Sequence, residues 1–504
     1  MMDFFSNLDL LMLGSAALSI MLGLFVGMLF GALPGLGLII GVTLLLPLSY
    51  AMSPVNSILM LLACYQGAEY GGSISAIVLG IPGTAMAAPI ALDGRQMAKT
   101  ESPGKALAYS LYGSTFGGIF GGLVLIFFAV PVARFALKLA DPEFFLLGVV
   151  GLLAVATFGA KDFVKAVISV ALGLLAGTVG LDLFTGTSRL TAGYFELYEG
   201  LNLVAVAVGL FAFSEVFMML SARINKAYSF EAHHLKISLT LREALGALKA
   251  MISGSLIGSL MGVLPGVGST VSCWLAYSGA KATSRTPEKF GKGSGEGIAA
   301  PDAANNATVG GALLPFLALG IPGSASIAII AGAFIIAGIQ PGPQMMRNNP
   351  ELIEMIFIGF MATTVGMFFM GKALTKLFVR ALVTPNSFLV PAILVSSMIG
   401  IYSSKGHFFD LWVALGLGVA AWIMRRLDYS IAAFVLAMVL TPIIETSFRR
   451  ALVLSQGDYS IFYSRIYSQV IMAVIVGILA VALVKSLRRL RNSRQAATKG
   501  QATS

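Results

Sequence analysis

Uninterrupted apolar runs of about 20 residues recur along this 504-residue chain, for example at 10–30 and 107–131. A helical run of that length matches the hydrocarbon core of a bilayer, and lipid admits only helices or closed barrels. A barrel would show short strands of alternating polarity, whereas these runs are long and unbroken. Only 11% of the residues are charged, against about 25% in a soluble domain. We therefore predict an all-α polytopic membrane protein rather than a soluble enzyme or a disordered chain.

The charge and the cysteines exclude further classes. The net charge is +10, but basic residues lie at the ends of apolar runs, where the positive-inside rule places them. Nucleic acid is therefore not an expected partner. Cys64 and Cys273 lie within apolar runs and lack the spacing of a disulfide framework or a zinc site. No Lys or Arg precedes Arg95, so we expect no cleavable signal peptide.

The sequence is doubled. Four motifs recur in the same order at offsets of 231, 240, 248 and 243 residues: 31–37 (GALPGLG) with 262–268 (GVLPGVG), 80–84 (GIPGT) with 320–324 (GIPGS), 93–97 with 341–345, and 141–146 with 384–389. Such spacing indicates a tandem duplication. We predict four regions: a first repeat at 1–220, a linker at 221–249, a second repeat at 250–450, and a C-terminal span with a basic tail at 451–504.

Charge predicts that the two repeats are inverted. Residues 47–57, after the first Leu-Pro-Gly motif, carry no charge, whereas 281–292, after the second, carry four basic residues and one acidic residue. Residues 95–105, after the first Gly-Ile-Pro-Gly motif, are basic, whereas 347–354 are mixed. By the positive-inside rule the repeats have opposite orientations, although Arg134 and Lys138 then lie outside. The linker and the C-terminal tail are expected to be cytoplasmic.

The repeated motifs predict helix breaks at membrane depth, because Pro and Gly interrupt helices. Separate apolar spans are expected at 57–68 and 73–92. Broken helices are tolerated where their backbone lines a polar cavity or is buried in protein. Breaks at matching places in two repeats are typical of transporter sites, since half-helix N-termini attract anions. The fold class is thus two inverted-topology repeats with Gly/Pro-broken re-entrant hairpins plus an extra C-terminal span. The alternative is that these motifs are packing kinks.

Polar residues beside the breaks complete the candidate site. Glu69 and Asp302 are candidates for cation coupling, because ionisable groups at membrane depth usually face a pathway. Glu69 could instead make an interhelical hydrogen bond and Asp302 could cap a helix, while each serine or threonine could satisfy a backbone carbonyl. The candidate substrate-binding residues are Pro34, Gly35, Gly37, Gly72, Ser73, Pro82, Gly83, Thr84, Pro265, Gly266, Gly268, Ser269, Asn305, Asn306, Thr308, Pro322, Gly323 and Ser324.

Enzyme signatures are absent from the sequence. There is no His-Glu-x-x-His pair, no Gly-x-Ser-x-Gly elbow and no Walker A motif, since 291–295 (GKGSG) lacks the required spacing. His233, His234 and His407 lie in the polar linker or beside a run end and are expected to be solvated. We expect no enzyme and no resident cofactor. An intramembrane enzyme acting on a lipid-linked substrate and a passive organic-anion channel remain alternatives.

The paired motifs and residues 296–307 (EGIAAPDAANNA) resemble the large membrane subunit of the tripartite tricarboxylate transporters, the TctA family, over about residues 10–485. The resemblance implies a multi-pass permease of the bacterial inner membrane. It implies two partners, a small TctB-like membrane subunit and a periplasmic TctC-like solute-binding protein. It also implies uptake of a di- or tricarboxylate coupled to Na⁺ or H⁺, by alternating access around a midplane site.

Overall fold

The computed structural model describes residues 10–33, 36–158, 162–221, 236–382 and 386–482. The helices are α1 Leu10–Ala32, α2 Gly37–Leu45, α3 Pro54–Leu79, α4 Ala88–Thr100, α5 Pro103–Ala136, α6 Asp141–Phe158, α7 Phe163–Gly177, α8 Leu203–Ser221, α9 Leu241–Val263, α10 Gly268–Thr283, α11 Gly295–Leu319, α12 Ala325–Ile336, α13 Pro343–Asn348, α14 Pro350–Ala381, α15 Asn386–Lys405, α16 Phe408–Arg426, α17 Ile431–Leu454, α18 Ile461–Ser464 and α19 Ile466–Ala482. Short 3₁₀ turns occupy Leu46–Ala51, Ala85–Ala87, Phe195–Leu197 and Pro287–Lys289. Strands β1 Gly180–Leu181 and β2 Ser188–Arg189 pair antiparallel.

Nine helices in the described part of the chain are long and apolar enough to cross a membrane. They are α1, α5, α6, α8, α9, α14, α15, α16 and α17. This confirms the prediction of an all-α polytopic membrane protein. The four segments predicted from the repeats remain a prediction. His233, His234, most of the linker and the basic tail lie outside the described residues.

The two Leu-Pro-Gly motifs and the two Gly-Ile-Pro-Gly motifs end helices, as predicted. Helix α1 ends at Ala32 and α2 begins at Gly37, while α9 ends at Val263 and α10 begins at Gly268. Helices α3 and α11 each end before a glycine with positive φ, +74° at Gly80 and +78° at Gly320, the left-handed conformation that commonly terminates helices.

The expected division into spans at 57–68 and 73–92 is wrong. Residues 54–79 form the single helix α3, which continues through Gly71 and Gly72. Both glycines face neighbouring backbone or side chains at close range, so their missing side chains serve packing rather than a break. The following segment forms the separate helix α4, which is not among the candidate spans.

Glycine stripes spaced four residues apart bring three pairs of helices into close contact. A Cβ added to any of these glycines would lie 2.0–2.7 Å from a backbone carbonyl oxygen of the facing helix. The stripes are Gly23, Gly27 and Gly31 of α1 against α3, Gly254, Gly258 and Gly262 of α9 against α11, and Gly113, Gly117 and Gly121 of α5 against α11. Small residues at this spacing let membrane helices approach closely. These nine glycines therefore let α1, α5 and α9 pack closely against α3 and α11.

Helices of the predicted first repeat pack against helices of the predicted second repeat. Helix α5 of the first repeat packs on α11 of the second, and α14 of the second packs on α3 of the first. Likewise α2 packs on α12, and α10 packs on the Ala85–Ala87 turn. Each break-flanking element of one repeat is therefore held by elements of the other repeat.

The chain divides into two compact units. The first comprises the described residues up to Ala136 together with Leu201–Ile423, and it contains all four break motifs. The second comprises Leu137–Gly200 and the described residues from Met424 onward. Ion pairs within the second unit join the segment containing β1 and β2 to α17, through Asp182–Arg449 at 2.8 Å and Arg189–Glu445 at 2.6 Å.

Candidate functional site

One face of α3 carries polar side chains that contact the second repeat. Tyr65, Glu69 and Ser73 are spaced four residues apart and therefore share a face. The Tyr65 hydroxyl lies 3.4 Å from the Ser324 hydroxyl, and Ser73 donates to Asp302 at 2.7 Å. On α11 itself, Asn305 bonds to the Glu69 backbone and Asp302 bonds to Ser73, so the partners descend in number as α3 ascends. The equivalent helices α3 and α11 therefore run in opposite directions.

Glu69 lies at the centre of this face and is fully buried. Its Oε1 accepts a hydrogen bond from the Ser269 hydroxyl at 3.4 Å, and its backbone carbonyl accepts one from the Asn305 amide at 3.3 Å. The interhelical hydrogen bond considered for Glu69 is therefore present. It does not satisfy the carboxylate, because Oε2 has no hydrogen-bond partner among the described residues.

Asp302 is equally buried, in the interior of α11. It does not cap the helix, because Ser294 occupies that position and accepts from the Gly297 amide. Asp302 Oδ1 accepts from Ser73 and, at 3.3 Å, from Ser114 of α5. Its Oδ2 has no partner within the described part of the chain. A buried carboxylate oxygen without a partner is costly, which marks it as a position for a ligand or a proton.

The two asparagines that follow on α11 are also incompletely satisfied. Asn305 Oδ1 and both polar side-chain atoms of Asn306 are buried without a hydrogen-bond partner in the described ranges. Native proteins leave few such groups, and each calls for an explanation. Amide N–H groups that make no internal bond can donate to an incoming carboxylate.

The two breaks of each repeat meet each other. In the second repeat the Gly266 amide donates to the Gly323 carbonyl at 3.3 Å. In the first repeat Gly83 fits so closely that an added Cβ would lie 2.2 Å from the Gly31 carbonyl oxygen. Helices α2, α10 and α12 begin directly after breaks, so their N-terminal N–H groups carry partial positive charge there. Breaks, helix N-termini and polar side chains thus come together in the first unit.

The remaining predicted residues have mixed environments. Thr308 donates to the carbonyls of Ala304 and Gly258, so it satisfies backbone groups. Thr84 packs on Gly72, and its hydroxyl has no partner among the described residues. The other break residues, Gly37, Pro82, Pro265, Gly268 and Pro322, lie in or next to the turns. Pro34 and Gly35 lie outside the described residues.

Sequence reasoning missed Tyr65, Ser110 and Ser114, which the fold brings to this site. Tyr65 shares the four-residue spacing of Glu69 and Ser73, and that spacing could have revealed it. Ser110 and Ser114 belong to α5, whose apolar run carries no break. No signal in the sequence connects them to Asp302, because only the packing of α5 on α11 does so.

Asp93 was also missed as a residue that joins the repeats. Its Oδ1 accepts from the amides of Gly291, Gly293 and Ser294 at 2.7–2.8 Å, and its Oδ2 accepts from the Tyr277 hydroxyl at 2.9 Å. The glycine-rich segment 291–294, which lacks the spacing of a Walker A motif, therefore binds the Asp93 carboxylate through its backbone amides. Successive backbone N–H groups form such anion-binding concavities.

Cys64 and Cys273 are both buried free thiols. Within the described ranges, no three side chains of His, Cys, Asp or Glu converge as a metal site would require.

Comparison with known proteins gives one family. The profile of the tripartite tricarboxylate transporter TctA family matches residues 17–436. A protein of Agrobacterium vitis, described as an uncharacterized 52.8 kDa protein in the TAR-I ttuC' 3' region, is 36% identical over 470 residues, 93% of each chain. A second from that organism, described as an uncharacterized protein in the TAR-II ttuC' 3' region, is 34% identical over 228 residues. That match covers 45% of this chain and 94% of the relative. No solved structure matches.

Proposed function

We propose that this chain, which belongs to the tripartite tricarboxylate transporter TctA family, is a permease subunit that imports an organic di- or tricarboxylate by cation-coupled secondary transport. The observation that carries the proposal is the meeting of paired helix breaks with buried, unsatisfied polar groups of α3 and α11. Half-helix N-termini and the Asn305 and Asn306 amides supply donors for a carboxylate. Glu69 and Asp302 supply negative charge for a coupling Na⁺ or H⁺.

Alternating access is proposed to use two inverted repeats. Two observations support inversion: α3 and α11 run in opposite directions, and basic segments of different repeats lie at one end of the first unit. Asp93 contacts the 291–294 segment, and Lys105 pairs with Glu243 at 2.8 Å. We assign that end to the cytoplasm by the positive-inside rule. We propose that the helix pairs α1–α2 and α9–α10 form re-entrant hairpins, in which the chain reverses direction at the break.

The family suggests the setting of this transport. We propose that the protein lies in the bacterial inner membrane with its C-terminus in the cytoplasm. A small TctB-like membrane subunit is the proposed membrane partner, and a TctC-like periplasmic binding protein is proposed to deliver the carboxylate. These partners come from the family relationship alone.

Uptake into proteoliposomes tests the proposed function against its alternatives. The complete complex is reconstituted with its binding protein, and labelled citrate and succinate are offered with and without inward Na⁺ or H⁺ gradients. Accumulation above the external concentration, dependent on one gradient, is the expected result. Equilibration without accumulation would indicate an anion channel. Chemical conversion of a substrate in detergent, with no gradient, would indicate an enzyme.

A further inference from the structure

Hydroxyl groups from two helices surround the Asp302 carboxylate. Ser73 of α3 donates to Oδ1 at 2.7 Å and Ser114 of α5 donates to the same oxygen at 3.3 Å. Ser110 lies one helical turn before Ser114, and its buried hydroxyl lies beside the carboxylate. That hydroxyl makes no hydrogen bond within the described ranges. Three hydroxyls and one carboxylate therefore converge at the junction of α3, α5 and α11.

This cluster has the composition of a site for a hard cation. Na⁺, like other hard cations, takes oxygen ligands, and a serine that donates its proton to a carboxylate keeps lone pairs for a metal. No Lys or Arg pairs with Asp302 among the described residues, and its Oδ2 is buried without a partner. A cation beside Oδ2 would remove the cost of burying that charge.

We propose that Asp302, Ser73, Ser110 and Ser114 bind a sodium ion. A proton would need only one acceptor oxygen, and it would leave the convergence of three hydroxyls without a purpose. The inference rests on the proposed function for its role, since the ion would be the one that couples to carboxylate uptake.

Equilibrium binding of ²²Na⁺ to the purified full-length protein in detergent tests the site without any carboxylate. The pH and ionic strength are held constant with choline chloride. The wild type is expected to bind ²²Na⁺ saturably, with displacement by unlabelled Na⁺ but not by K⁺. Ser110→Ala and Ser114→Ala are each expected to weaken binding about tenfold, since each removes one oxygen ligand of a charge. Asp302→Asn is expected to abolish binding.

Ser255→Ala is the matched control, because Ser255 is also buried but donates only to the Met251 carbonyl of its own helix. Its Na⁺ affinity is expected to equal that of the wild type. Thermal unfolding and gel filtration establish that each variant is folded, and the two serine variants test the site even if Asp302→Asn is unstable.

Three results would overturn the proposal. They are no saturable ²²Na⁺ binding by the wild type, unchanged affinity in both serine variants, and equal displacement by K⁺. Because no carboxylate is present, these results are independent of the proposed function. Failure of carboxylate uptake with intact Na⁺ binding would overturn the proposed function and leave the site standing.

Discussion

Helices α3 and α11 carry buried polar atoms without hydrogen-bond partners in the described part of the chain, at residues that the sequence had placed beside the breaks. Glu69, Asp302, Asn305 and Asn306 all carry such atoms, each counted within the described part of the chain. Each would lower the stability of a protein that only had to fold. Their presence together is most simply explained by ligands that satisfy them during transport.

Glu69→Gln is expected to uncouple transport while leaving the fold intact. Glutamine keeps an oxygen that can accept from Ser269, but it carries no charge. Accumulation driven by the cation gradient should fall at least about tenfold, as expected when a buried charge interaction is lost. Exchange of labelled for unlabelled carboxylate should persist. Unchanged gradient-driven accumulation would remove Glu69 from the coupling machinery.

Asp93→Asn is expected to destabilise the contact between the repeats. The amide keeps one oxygen for the three backbone N–H donors that now bond to Oδ1, but it loses the negative charge that strengthens those bonds. Loss of hydrogen bonding to a charged group costs about 1.5–3 kcal/mol. The thermal unfolding temperature should therefore fall by several degrees. Glu101→Gln is the control, since Glu101 makes an exposed pair with Lys105, which contributes at most about 1 kcal/mol. Equal unfolding temperatures for the two variants would contradict the account.

At the scale of single residues, the sequence predicts those members of the candidate site that lie next to a repeated motif. Glu69, Asp302 and Asn305 could be identified because they adjoin the repeated breaks. Ser110, Ser114 and Asp93 could not, because their partners lie about 190–200 residues away in sequence and are set by packing. Contacts between distant segments leave no local pattern of spacing or polarity.

The elements are shaped by glycine in two different ways. Gly80 and Gly320 end helices through a left-handed backbone, which the sequence motif predicts. The stripes on α1, α5 and α9 instead allow helices to touch. The GxxxG spacing of these stripes is visible in the sequence, but which helix each stripe contacts is decided by the tertiary fold.

Gly258→Ala and Gly246→Ala compare a glycine in a helix contact with an uncrowded glycine on the same helix, α9. A Cβ at Gly258 would lie 2.2 Å from the Ala304 carbonyl oxygen, whereas a Cβ at Gly246 would meet nothing within 4 Å. Gly258→Ala should destabilise the protein by about 1–3 kcal/mol, as overpacking does. Gly246→Ala should be neutral or slightly stabilising because alanine favours helix. Thermal unfolding of the two variants checks this, and equal midpoints would show that α9 and α11 do not pack through Gly258.

In the second unit, the ion pair between Asp182 and Arg449 predicts that the stability of the fold depends on pH. The backbone amides of Thr185 and Phe184, together with Arg449, hold the pKa of Asp182 well below its usual range. A lowered carboxyl pKa stabilises the folded state at pH values above the unfolded pKa of about 4, and the stabilisation is lost as pH falls. Asp182→Asn should lower the unfolding temperature at pH 7 and flatten its decline towards pH 3. Parallel pH profiles for wild type and variant would contradict this.

At the scale of the whole molecule, the order of motifs predicts two repeats in the chain. Their inversion stays a prediction, and opposite directions of α3 and α11 are what it requires. The exchange of partners between the repeats was not predictable, because sequence periodicity describes a helix and not its neighbours. The grouping of α6, α7 and α17 in a second unit was missed for the same reason.

Labelling of single cysteines tests the inverted arrangement. Lys99→Cys and Lys289→Cys follow non-equivalent motifs of the two repeats, and both side chains are exposed. A membrane-impermeant maleimide should label both from the cytoplasmic side and label Tyr50→Cys and Asn348→Cys from the opposite side. The buried Cys64 and Cys273 should give little background. Labelling of positions 99 and 289 from opposite sides would show that the repeats are parallel.

The most direct measurement compares wild type and Asn306→Ala in gradient-driven accumulation of labelled carboxylate by the reconstituted complex. Asn306 makes no side-chain hydrogen bond within the described ranges, so its truncation should leave the unfolding temperature nearly unchanged. If the carboxylate binds between the paired breaks, its apparent affinity should fall about tenfold or more on loss of this donor. The wild type should accumulate the acid strongly. Asn306→Ala should need a correspondingly higher external carboxylate concentration to reach the same accumulation. Equal accumulation at every concentration would contradict the account.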